Sequence, residues 1–219
     1  MNSLYENNNS AHIRGTVDSE PQFSHEILGE GFYDLTIKVP RLSEQYDILP
    51  VTISERLLNN AQIGDTLSID GQFRSYNKLE NGRSKLILTV FAKELAEESE
   101  YDNELNSNTI TLTGYICKPP IYRTTPFGRE ISDCLIAVNR AYNKSDYIPC
   151  IAWGRNARYV KNLDVGAKVT LTGRIQSREY QKKHDENNIE TKTAYEVSIS
   201  SIGTNINNFS TEDFDLIEE

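Results

Sequence analysis

A chain of 219 residues with 37% hydrophobic content holds one large domain or two of about 100 residues, and either can bury a core. It has no run of eighteen apolar residues, which argues against a membrane-spanning helix. Its three cysteines, Cys117, Cys134 and Cys150, are odd in number and lack C-x-x-C spacing, which fits free thiols in a reducing, cytoplasmic compartment better than a disulfide frame or zinc site.

The start, "MNSLYENNNS", has neither a basic patch nor an apolar core, so residues 1–10 read as a short lead rather than a signal peptide. A first unit follows over 11–95. "HIRGTV" (12–17) and "ILPVTIS" (48–54) are its early strands, "SERLLNNAQ" (54–62) its helix candidate, and Thr66 to Asp70 an alternating strand; "KLILTVFAKEL" (85–95) closes it. Residues 96–107 carry five acidic and no basic side chains, and read as a linker. A second unit spans 108–203, with strands "TLTGYI" (111–116), "YIPCIAW" (147–153), Lys168 to Thr172 and "AYEVSISSI" (194–202). Its helix candidate is "GRNARYVKNL" (154–163), and "PPIYRTTPFGRE" is a turn between its first two strands. Residues 204–219 form an acidic tail.

The two units repeat each other. "IGDTLSIDGQFRS" matches "VGAKVTLTGRIQS": Gly64 and Gly71 are seven apart, as are Gly166 and Gly173, and Ser75 and Ser177 follow four later. Five strands with a short helix between the third and fourth is the connectivity of the OB-fold, so an all-β chain of two tandem OB barrels is expected.

Charge is divided unevenly along the chain. The net −9 conceals a second unit with 14 basic and 9 acidic side chains, whereas residues 1–95 have 9 basic and 13 acidic. In the strand 147–153, Ile148, Cys150 and Ala152 suit a barrel interior, which turns Tyr147 and the single tryptophan, Trp153, outward on the other face. Outward rings flanked by Arg155 form a stacking platform for unpaired bases, with cations to follow the phosphates. Tyr142 in the preceding loop and Tyr180 at the end of the fourth strand join them, with Arg123, Arg140, Lys144, Arg174 and Arg178 nearby and Tyr122 in the turn. The first unit has Ile48 and Ser54 at the places of Tyr147 and Trp153; its candidates for contact are Tyr76, Lys78, Arg83 and Lys85.

"TLTGYICKPPIYRTTPFGREISDCLIAVNR", "DYIPCIAWGRNARYV" and "VGAKVTLTGRIQSREY" together resemble the bacterial single-stranded DNA-binding (SSB) family over about 95 residues. The resemblance implies coating of single-stranded DNA without strong sequence preference, in replication, recombination or repair. It places Tyr142, Tyr147, Trp153 and Tyr180 on stacking positions and Arg155 and Arg178 on basic ones. The turn departs from the family in reading Tyr122-Arg123 where Arg-Tyr is usual. The first unit is similar to the diverged OB partner of clostridial-type members. Two OB units per chain imply, by analogy, a homodimer with four barrels. The acidic tail implies a docking point for replication and repair proteins, with Phe214, Leu216 and Ile217 as its apolar contacts, although it lacks the family's terminal Pro-Phe.

His12, His25 and His184 are scattered, and no H-E-x-x-H, nucleophile elbow or phosphate loop is present. A non-enzymatic protein without metal or cofactor is therefore expected. The acidic first unit supports an alternative: tandem barrels acting as a protein-interaction adaptor of a primosome or mobile element, with weak nucleic-acid binding.

Overall fold

The computed structural model describes residues 8–80, 82–95, 107–185 and 188–204. The first half runs β1 (Asn9–Val17), β2 (Gln22–Ile27), β3 (Glu30–Pro40), β4 (Tyr46–Ser54), α1 (Glu55–Leu58), β5 (Thr66–Glu80) and β6 (Arg83–Leu95). The second repeats it as β7 (Asn108–Ile116), β8 (Ile121–Thr124), β9 (Glu130–Arg140), β10 (Lys144–Trp153), α2 (Gly154–Val160), β11 (Lys168–Asp185) and β12 (Asn188–Gly203). In each half the first strand pairs with two neighbours, β1 with β3 and β5 and β7 with β9 and β11, which closes a barrel. Alternate apolar side chains fill the interiors: Ile13, Ile37, Leu49, Val51 and Phe73 in one barrel, Leu112, Ile136, Ile148, Leu171 and Ile175 in the other.

Each barrel closes on five strands, as expected, and each half carries one strand more outside that circuit. The additional strands are the hairpin arms β2 and β8. "IYRT" within the expected turn pairs with β9 from Ile121↔Asp133 to Thr124↔Glu130, although the prolines and glycine around it read as loop. β2 reaches β3 through Leu28 and Gly29, both at positive φ (52° and 83°), a reversal that matches strand twist. The helices are shorter than the patterns suggest. α1 stops at Leu58 because Asn59 and Asn60 adopt left-handed conformations (φ 38° and 62°), which end a helix.

The boundaries also move. β1 begins inside the expected lead, and Asn9 is buried, bracketing Phe73 with two hydrogen bonds of 2.8 and 3.0 Å. Asn108 brackets Ile175 in the same way, at 2.7 and 2.9 Å. At the other edge Ser107, assigned to the linker, is buried and its carbonyl accepts from Arg14 N at 2.8 Å.

The barrels are joined into one twelve-stranded sheet whose order, β2-β3-β4-β6-β5-β1-β7-β11-β12-β10-β9-β8, reads the same in either direction. The join is antiparallel pairing of β1 with β7, centred on Ala11↔Ile110, two residues that hold the same place in their own barrels. An internal two-fold relation therefore passes between them, the arrangement of an isologous dimer built within one chain. The polar contacts obey it. Asp47 Oδ1 accepts from Ser177 N at 2.6 Å, and Asp146 Oδ1 accepts from Ser75 N at 2.7 Å. Ile48 N donates to Ser177 Oγ and Tyr147 N to Ser75 Oγ. Both carboxylates are buried, and each sits between the barrels.

Candidate nucleic-acid interface

The outer face of the second barrel is organised by β10. Its inward residues Ile148, Cys150 and Ala152 are buried, while Tyr147 is 44% and Trp153 39% exposed. They share a face with Pro149 and Ile151 between them, and six positions along an extended strand set them roughly 20 Å apart. They are two stations on one wall rather than a touching pair. Tyr142, 94% exposed, projects from the β9–β10 turn at a positive φ of 61°. Tyr180, 39% exposed, lies not at a strand end but part-way along the ribbon formed by β11 and β12, paired with Lys192.

The candidate cations divide into two groups. Lys144 and Arg155 are exposed, and Arg178 is exposed with Glu196 at 3.6 Å. Arg123 is held by Asp133 at 2.9 Å on the β8–β9 hairpin. Arg174 and Arg140 belong to the junction between barrels: Arg174 reaches Asp47 at 3.0 Å, and Arg140 lies 3.4 Å from Asp146. Tyr122 is also committed. Its hydroxyl donates to Glu130 Oε1, a bond that raises its pKa, and Lys161 Nζ sits 4.5 Å from its ring centroid. Phe214, Leu216 and Ile217 lie outside the described residues, as does the side chain of Arg83.

The two junction carboxylates are unequally served. Asp47 is gripped by Arg41 through Nε at 2.8 Å and Nη2 at 2.5 Å, and by Arg174. Hydrogen bonding to Asp47 holds the Arg41 guanidinium still more firmly protonated than usual. Asp146 Oδ2 is buried and makes no hydrogen bond, since Arg140 is within ion-pair range but misaligned. Burial raises the Asp146 pKa, opposed by its bond from Ser75 N and by Arg140 and Arg74.

The first barrel is not bare of aromatics, as the sequence comparison at Ile48 and Ser54 suggests. On its outer face the His25 ring stacks on Phe32 with centroids 5.0 Å apart, Phe32 stacks on Phe91 at 5.6 Å, and the Arg74 guanidinium lies 3.8 Å over Phe91. Phe23, 63% exposed, meets Tyr33 edge-on. These rings come from strands distant in sequence, and no local period brings them together.

The single-strand binding protein family model matches residues 107–204. The single-stranded DNA-binding protein of Halalkalibacterium halodurans is 30% identical over 117 residues, covering 47% of this chain and 70% of that protein. The chain belongs to the single-strand binding protein family. Single-stranded DNA-binding protein 1 of Staphylococcus aureus (strain COL) is 36% identical over 83 residues, covering 35% of this chain and 50% of that protein. The chain spans about half the length of that curated relative and of the Bacillus subtilis (strain 168) single-stranded DNA-binding protein A. A crystal structure of a deletion mutant of the Thermus aquaticus single-stranded DNA binding protein shares the fold across both barrels. Its TM-score is 0.69 at 18% identity, covering 93% of this family member and 97% of that chain. Among the described residues no His, Cys, Asp or Glu cluster could hold a metal ion, and no helix is long and apolar enough to cross a membrane.

Proposed function

We propose that this protein coats single-stranded DNA without strong sequence preference, by stacking bases on the second barrel and tracking phosphates beside them. The observation that carries the reading is Trp153, exposed on a barrel wall whose other stations are Tyr147, Tyr142 and Tyr180. Each ring offers roughly 1–3 kcal/mol of stacking that any base can use. Lys144, Arg155, Arg178 and Arg123 supply the nearby positive charge; Arg140 and Arg174 act chiefly by holding the barrels together. The working form is a homodimer with four barrels, and the acidic tail, with Phe214, Leu216 and Ile217, recruits replication and repair proteins. Similarity to the Staphylococcus and Halalkalibacterium proteins supports the choice of ligand.

Titration with oligo-dT tests it: binding quenches the fluorescence of the single tryptophan, and affinity falls steeply with salt, at about 0.7 counterions per phosphate neutralised. An adaptor that uses its barrels for protein contacts, the reading favoured by the acidic first unit, gives neither the quenching nor the slope. Light scattering on the same samples reports the mass and hence the number of barrels assembled.

A further inference from the structure

We infer that the first barrel carries a second nucleotide cleft, chemically unlike the first, which reads the exocyclic amino group of a base. The inference rests on the reading of the protein as a single-strand binder but assigns a new site and a selectivity.

A cleft of about 640 Å³ opens on the outer face of the first barrel, within the range of small-ligand sites. Phe23 and Phe91 line it as aromatic walls, and Arg74, lying over Phe91, adds a guanidinium plane on which a base can stack. Lys78 and Arg140 line it too, so the second barrel contributes a cation to a site otherwise built by the first. Arg74 and Arg140 are close enough that Arg140, after burial, lowers the Arg74 pKa. Asp146 already offsets part of that repulsion, and a phosphate beside the two guanidiniums offsets more.

The polar side of the cleft sets its chemistry. Thr52 Oγ1 donates to Asp34 Oδ1 at 2.7 Å, and Thr89 Oγ1 donates to Pro50 O at 3.3 Å while lying 3.0 Å from Thr52 Oγ1. With both hydroxyl protons so directed, this patch presents acceptors: carboxylate and hydroxyl oxygens. Cytosine, adenine and guanine bring an exocyclic amino donor, whereas thymine has only its N3–H donor, flanked by two carbonyls that such a surface repels, and is disfavoured. The equivalent positions in the second barrel cannot do this. Asp133 is neutralised by Arg123, and Ile151 and Glu196 replace Thr52 and Thr89, with Glu196 hydrogen-bonded to Gln176 at 2.8 Å.

The test uses the full chain and 5′-labelled oligo-dC and oligo-dT of about 30 nucleotides, long enough for two barrels, with binding followed by anisotropy at one salt concentration. Asp34→Asn still accepts the Thr52 proton but loses the carboxylate. It lowers affinity for oligo-dC about fivefold or more and leaves oligo-dT within twofold. Phe23→Ala, at an exposed position that the core does not need, weakens both. If Asp34→Asn leaves the dC-to-dT ratio unchanged, or Phe23→Ala leaves both affinities unchanged, while oligo-dT still quenches Trp153, the second cleft is refuted and the proposed function stands. If the unaltered protein binds neither oligonucleotide, both fall.

Discussion

Trp153 pairs with Ile131 in the second barrel, and at the equivalent position of the first Ser54 pairs with Phe32. Bulk has changed places: one wall puts its large ring on the middle strand, the other puts rings on the strands either side and a small residue between them. Replacing Trp153 by Ala is expected to weaken oligo-dT binding by about 1–3 kcal/mol, read by anisotropy, while Trp153→Phe keeps most of the affinity. The junction aspartates are predicted to differ as sharply. Asp47→Asn leaves Arg41 and Arg174 without their carboxylate and costs about 3–5 kcal/mol in urea unfolding. Asp146→Asn costs far less at neutral pH, because it removes a charge that burial disfavours. The sign follows from the raised pKa of Asp146: the folded state holds this proton to higher pH than the unfolded chain, so its ionisation subtracts stability as pH rises from about 4, the unfolded value. Melting temperatures measured from pH 4 to pH 7 should therefore improve for the variant relative to the parent.

At the scale of strands and turns, the bulges matter most. Gly71 and Gly173 stand at matched irregularities of β5 and β11, where a Cβ would strike the backbone carbonyl oxygens of Phe91 and Ser198. Neither obstacle is a side chain that can swing away. Gly173→Ala should cost on the order of 2 kcal/mol or more, whereas Gly203→Ala, with nothing within 4 Å of the new methyl, should fall within about 0.5 kcal/mol; denaturation midpoints separate them. The spacing that exposes this repeat in the sequence is thus imposed by steric need. The long strands were legible for a similar reason, since alternation in Thr66–Asp70 and Lys168–Thr172 follows from one buried and one outward face. β2 and β8 were not, because their pairing with β3 and β9 depends on turns flanked by residues that also read as loop. The stack from His25 through Phe32 and Phe91 to Arg74 was hidden too: it joins four strands, and no local period records it. Asp47 and Asp146 look like ordinary polar strand residues until the partner barrel covers them.

For the whole molecule, the paired β1 and β7 edges and the two aspartate contacts make the halves mutually dependent. A protease site inserted among residues 96–106 should leave the cut halves co-eluting on a sizing column and melting in one transition; separation into two species would show that covalent linkage does the holding. The chain has in effect folded a dimer's partner into itself, and with it spent the sheet edge at Ala11 and Ile110. A second copy cannot lengthen the sheet there. Higher assembly must proceed through another surface, leaving the centre closed to the edge-to-edge growth that open strands invite.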